Sequence, residues 1–166
     1  MSATLNYWRL TQLNRFHSNH NPRLRDAKDR LDGHIGRMCA LADKIWPEDH
    51  ALKTAITRHD LGEAGIGPGD VSGLWKKRNP DKAAILAQWE AEARIENGVP
   101  DFPHDPRVHI LDRMDAYIFA SENAPEELQR NDWRETRQEI VTLAQHLDQP
   151  ECDAICDAIL EATHHA

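Results

Sequence analysis

Two adjacent residues and a third one turn later have the types and spacing for shared chemistry: His59-Asp60, followed by Glu63. An imidazole nitrogen and a carboxylate oxygen are both metal-ligating atoms, and neighbours of these types can share one divalent ion. Glu63 falls four positions after His59, where on a helix it would orient a water or carry its proton. A plain imidazole–carboxylate pair on a helix surface would use the same residues. Two more side chains bear on the choice. His34 sits beside an apolar stripe, as a satisfied core histidine or as another ligand. Asp112 lies among Ile110, Leu111, Met114 and Tyr117. A carboxylate there is costly to bury unless it is paired or holds a cation, so a salt bridge to Arg113, a solvent-facing position and a metal all remain open.

Apolar residues recur at helical spacing almost throughout, and no segment alternates as a strand would. The expected fold is all-α: a single domain over residues 1–166, a bundle of about seven helices. A first helix is predicted over about 3–16 and a second over about 30–46, with Ile35, Met38, Leu41, Ala42 and Ile45 as its stripe. A third opens at Pro47-Glu48-Asp49 and reaches about Glu63. Four glycines and Pro68 mark residues 65–79 as a loop, and Pro80 starts a helix ending near Gly98. Helices over about 107–120, 126–147 and 150–163 complete the chain. Trp46, Trp89 and Trp133 read as core or interface anchors, and Cys152 and Cys156 as packing residues of the last helix.

Composition narrows the function. Of 166 residues, 29% are charged and 40% hydrophobic, the balance of a globular protein. No apolar run is long enough to span a membrane, and three cysteines make no disulfide framework, which points to a reducing cytoplasm. The net charge is -8, yet seven of the 20 Lys and Arg and only three of the 28 Asp and Glu fall in residues 1–37. An acidic body excludes a long nucleic-acid polymer as the natural partner but leaves room for a small anion held by local cations. The Arg23/Arg25/Lys28 cluster reads as a solvated face, or as a reach to a distal phosphate.

With these residues in place, the chain resembles the HD-domain phosphohydrolases, helical metalloenzymes whose signature is a histidine, a His-Asp doublet and a later aspartate. Here those are His34, His59-Asp60 and Asp112. The nearer resemblance is to the branch holding small 5′-deoxynucleotidases and phage-type deoxynucleoside triphosphate triphosphohydrolases. Arg15-Phe16-His17 matches its Arg-Trp opening, and His59, Asp60 and Glu63 match His-Asp-x-x-Glu. Gly69-Asp70 with Lys76, and Asp112 with Ala116-Tyr117, match its later motifs. The likeness runs over about residues 10–120. The chain departs from the branch at Asp32-Gly33-His34-Ile35, where Ala-Glu-His-Ser is usual, at Phe16, and in a longer loop before Asp70.

The resemblance implies a metal held by His34, His59, Asp60 and Asp112, with zinc, manganese, cobalt or magnesium as the ion. It implies that Glu63 positions the attacking water or carries its proton, and that Asp70 is a partner acid or holds the sugar 3′-hydroxyl. Arg15 would clamp phosphate oxygens, Lys76 and Lys77 would neutralise further charge, and Phe16, His17, Trp75 and Tyr117 either stack on a base or simply pack in the core or lie on the surface. The implied substrate is a small-molecule deoxynucleotide, with the triphosphate slightly favoured over the monophosphate, and relatives imply a homo-oligomer. A non-catalytic nucleotide binder of the same fold and a plain helical interaction domain are the rival readings.

Overall fold

The structure, a computed structural model, describes residues 8, 11–17, 19–65, 71, 73–96, 98 and 105–165. Among them are eight α-helices and no strands, so the fold is all-α. The helices are α1 (Pro22–Asp26), α2 (Leu31–Ile45), α3 (His50–Arg58), α4 (Gly73–Arg78), α5 (Pro80–Glu96), α6 (Pro106–Asn123), α7 (Asn131–Ala144) and α8 (Gln149–His165). Short 3-10 turns span Leu61–Gly65 and Pro125–Gln129.

Side-chain caps set several starts. Asn21 accepts from the Arg23 amide, Asp49 from that of Leu52 and Asp105 from that of Arg107, each satisfying a donor that the first turn leaves open. Helix α6 is the central element. Its Val108, Ile110, Leu111, Met114, Tyr117 and Ala120 are buried, and it packs on α2, α3, α7 and α8. Each fully buried aliphatic side chain contributes about 1.5–3 kcal/mol. On α2 the buried positions are Leu31, His34, Met38 and Ala42, so His34 lies on the core-facing stripe, with Ile35, Leu41 and Ile45 flanking it half-buried.

Four expectations are corrected. Residues 11–17 are not helical: Asn14 bridges antiparallel to Arg30, the Arg15 amide donates to the Asp29 carbonyl at 2.7 Å, and Phe16 takes a φ of 54°. Backbone pairing with the strip before α2 replaces helical bonds there, and Phe16's left-handed backbone ends any helix. Helix α3 stops at Arg58, leaving His59 and Asp60 in a turn and Glu63 in the 3-10 segment, so Glu63 and His59 do not share one α-helical face. The stretch 65–79 contains a helix, α4. The segment expected as one helix over 126–147 divides into a 3-10 turn and α7.

The segment after Arg58 packs closely on α5. A Cβ on Gly62 would lie 2.7 Å from the Glu90 carbonyl oxygen and 3.0 Å from the Glu90 Cβ, so α5 rests directly on this glycine. Gly62→Ala is expected to cost about 1–3 kcal/mol, because the obstacle is backbone. A urea midpoint unchanged in that variant would contradict the contact. No helix among the described residues is long and apolar enough to cross a membrane.

Candidate metal centre

His34, from the core face of α2, is fully buried, and the turn after α3 carries His59 and Asp60 up to it. His34 Nε2 and His59 Nε2 lie 3.3 Å apart. Asp60 Oδ2 is 2.9 Å from His59 Nε2 and 3.3 Å from His34 Nε2. The other ring nitrogens are already engaged: His34 Nδ1 faces Asp115 Oδ2 at 2.8 Å, and His59 Nδ1 faces the Ile56 carbonyl at 2.7 Å. A carboxylate and a carbonyl only accept, so each Nδ1 carries the hydrogen and each neutral ring turns a bare Nε2 lone pair inward. Three acceptor atoms therefore meet with no donor between them.

With both rings neutral, that arrangement suits a cation. Ligands at about 2.0–2.1 Å around a tetrahedral ion stand roughly 3.3 Å apart, which matches the separations here. The group His34, His59 and Asp60 could hold a metal ion. Asp112 Oδ1 lies further out, 3.5 Å from His34 Nε2, with its side chain about one-third exposed at 32%. It stands on the open side of the compact triad.

Without a metal, protons fill the gap. Burial opposes charge on His59, but the Asp60 carboxylate beside it, helped by Asp112, outweighs that and pushes the imidazole up to about 9. His34 is likewise raised against its burial, by its bonds to Asp115 and Asp60, with the Arg15 charge opposing. Asp60, against its own burial, is held well below the usual carboxylate range by the two histidines. A histidine raised in the folded state contributes stability in full below its unfolded value and loses it on deprotonation. The metal-free protein is thus expected to lose up to about 3 kcal/mol as pH rises from 6.5 to about 9, and a metal-loaded one to lose less. Melting temperature against pH, with and without Zn²⁺, checks this; equal slopes would contradict it.

Asp60 of this triad lines a cleft of about 500 Å³. His109, Asp112, Arg113 and Ala116 from one face of α6, Asp132, Glu135, Thr136 and Glu139 from one face of α7, and Glu63, Lys76 and Lys77 also line it. Lys76 Nζ stands 3.6 Å from Glu63 and 3.1 Å from Glu90. Asp112 does not pair with Arg113, which turns to Glu139 at 3.7 Å, but with Arg15 at 3.4 Å.

The expected site residues divide accordingly. Glu63, Lys76, Lys77, Arg15 and Phe16 reach the cleft. The ring of Phe16 stacks on Phe119 at 5.7 Å and leans on Trp133. Arg15 Nη1 is bound to Asp29 at 3.2 Å and Asp115 at 2.8 Å, so much of its guanidinium already has carboxylate partners. Tyr117 is no base platform: it is 2% exposed in the core, its hydroxyl against Thr163, because it follows Met114 by three positions on the buried side of α6. His17 bonds the Asn14 carbonyl and Trp75 meets Lys82, and neither lines the cleft. Asp70 lies outside the described residues. Arg23 and Arg25 form exposed pairs with Glu126 and Asp26, a solvated face.

Sequence reasoning missed Asp115 and His109, whereas Trp133, read as a core or interface anchor, is buried in the core. The signal for Asp115 was available, since a carboxylate among apolar helix positions is costly to bury, and it is Asp115, not Asp112, that is buried. Comparisons of the chain with protein-family models, with curated proteins and with solved structures find no match, so the chemistry of the site rests on its own geometry.

Proposed function

We propose that the protein is a metal-dependent phosphohydrolase of deoxynucleotides, as the HD-domain resemblance implies. The observation that carries this is the acceptor triad of His34, His59 and Asp60, whose Asp60 lines a cleft that also gathers Glu63, Arg15 and Lys76. His34, His59 and Asp60 would hold the ion, with Asp112 beside them; zinc, manganese, cobalt and magnesium all accept such donors. The ion supplies Lewis acidity at the phosphoryl group and an acidified water. Glu63 orients the attacking water and takes its proton. Lys76 and Arg15, both lining the cleft, bring positive charge to the phosphate oxygens, and Phe16 offers an aromatic surface for the base.

Lys77 and Arg113, which also line the cleft, favour a triphosphate, hydrolysed to deoxynucleoside and tripolyphosphate. The carboxylates of Asp132, Glu135 and Glu139 in the same lining favour the second reading, a less charged deoxynucleoside monophosphate. The substrate is in either case a small molecule, met in the cytoplasm by an enzyme assembled from identical copies. Incubation with Mn²⁺, Co²⁺, Zn²⁺ or Mg²⁺ against four dNMPs and four dNTPs, with products separated by chromatography, tests the proposal. Tripolyphosphate supports the first reading and orthophosphate from dNMPs the second. Metal binding without turnover of any nucleotide would make the protein a non-catalytic binder.

A further inference from the structure

We propose that Asp115 is a positioning residue of the metal centre, fixing which nitrogen of His34 faces the ion. The inference rests on the triad being a metal site, not on which nucleotide is hydrolysed. Asp115 is 2% exposed. Its Oδ2 meets His34 Nδ1 at 2.8 Å, Arg15 Nη1 at 2.8 Å and Arg37 Nη2 at 3.0 Å, while its Oδ1 meets Arg37 Nε at 2.6 Å. The fork of Arg37 thus grips both oxygens, a geometry that lysine cannot reproduce. Asp29 closes the ring, bonding Arg37 Nη2 at 2.8 Å and Arg15 Nη1 at 3.2 Å.

A merely structural reading would have Asp115 neutralise the two arginines. Asp29 already bonds both, and the Arg37 side chain is 39% exposed, so neither depends on Asp115 alone. His34 is fully buried, and Asp115 is the partner recorded for its Nδ1. The carboxylate therefore holds the ring in one tautomer and one rotation, keeps Nε2 bare, and makes it a better donor to a cation. Arg37, three positions after His34 on α2, and Arg15 hold the carboxylate in turn.

The test is Co²⁺ titration of the full chain, read by visible absorbance and by calorimetry, with metal-free melting as a check on folding. Asp115→Asn keeps the size and one acceptor but loses the charge; the expected result is a 10- to 100-fold weaker Co²⁺ affinity and a moved ligand-field band. In a His34→Ala background the same change is expected to have little further effect, because coupled residues are not additive. Arg37→Lys, which leaves the carboxylate but not the fork, is expected to weaken binding several-fold, and it decides the matter if Asp115→Asn fails to fold. Wild-type affinity in folded Asp115→Asn, or in Arg37→Lys where that variant decides, overturns the assignment while leaving the metal site standing. So does an equal loss from Asp115→Asn with and without His34. Absence of Co²⁺ binding by the wild-type protein overturns both.

Discussion

His59→Ala is expected to abolish tight binding of Zn²⁺ or Co²⁺ and, with it, all nucleotide hydrolysis. His59 is held on both sides, its Nδ1 by the Ile56 carbonyl and its Nε2 by Asp60 at 2.9 Å, so alanine removes a fixed donor, not a mobile one. Loss of an outer-shell partner typically costs metal sites about 10–100-fold, and loss of a ligand should exceed that. Calorimetric titration measures the affinity, and circular dichroism verifies that the helices persist. If folded His59→Ala binds one ion with wild-type affinity, the triad is not the metal site.

Glu63→Gln separates holding the ion from using it. Gln keeps the shape of the side chain but cannot take a proton, and Glu63 lines the cleft without belonging to the triad. Metal stoichiometry and affinity are expected to stay within a few-fold of wild type, while kcat falls by about 10²–10⁴. Equal loss of metal and turnover would place Glu63 among the ligands. Normal turnover would remove it from the chemistry altogether.

The bundle was legible in the sequence because each long helix needs an apolar stripe at helical spacing, and α2, α6 and α8 carry one. The break after Arg58 was not, and neither was the close approach of Gly62 to the backbone of Glu90, a contact made across 28 positions. His34, His59 and Asp60 were legible as ligand types, and the structure brings them together. Tyr117 was misplaced although the buried run Leu111, Met114, Tyr117 and Ala120 recurs every three residues. Arg15 was legible as a cation of the site but not as one embraced by Asp29 and Asp115. Ion pairs over 14 and 100 positions leave no local pattern to read.

The triad also has a mechanical side. Its histidines are 25 positions apart, His34 on α2 and His59 in the turn that follows α3. An ion bound by both ties the chain across that interval as a covalent bridge would, and closing a loop of this length restricts the unfolded chain by about 3 kcal/mol. Resistance to unfolding would then track metal supply: a cell short of the ion would hold a looser, more easily degraded protein, and less of it.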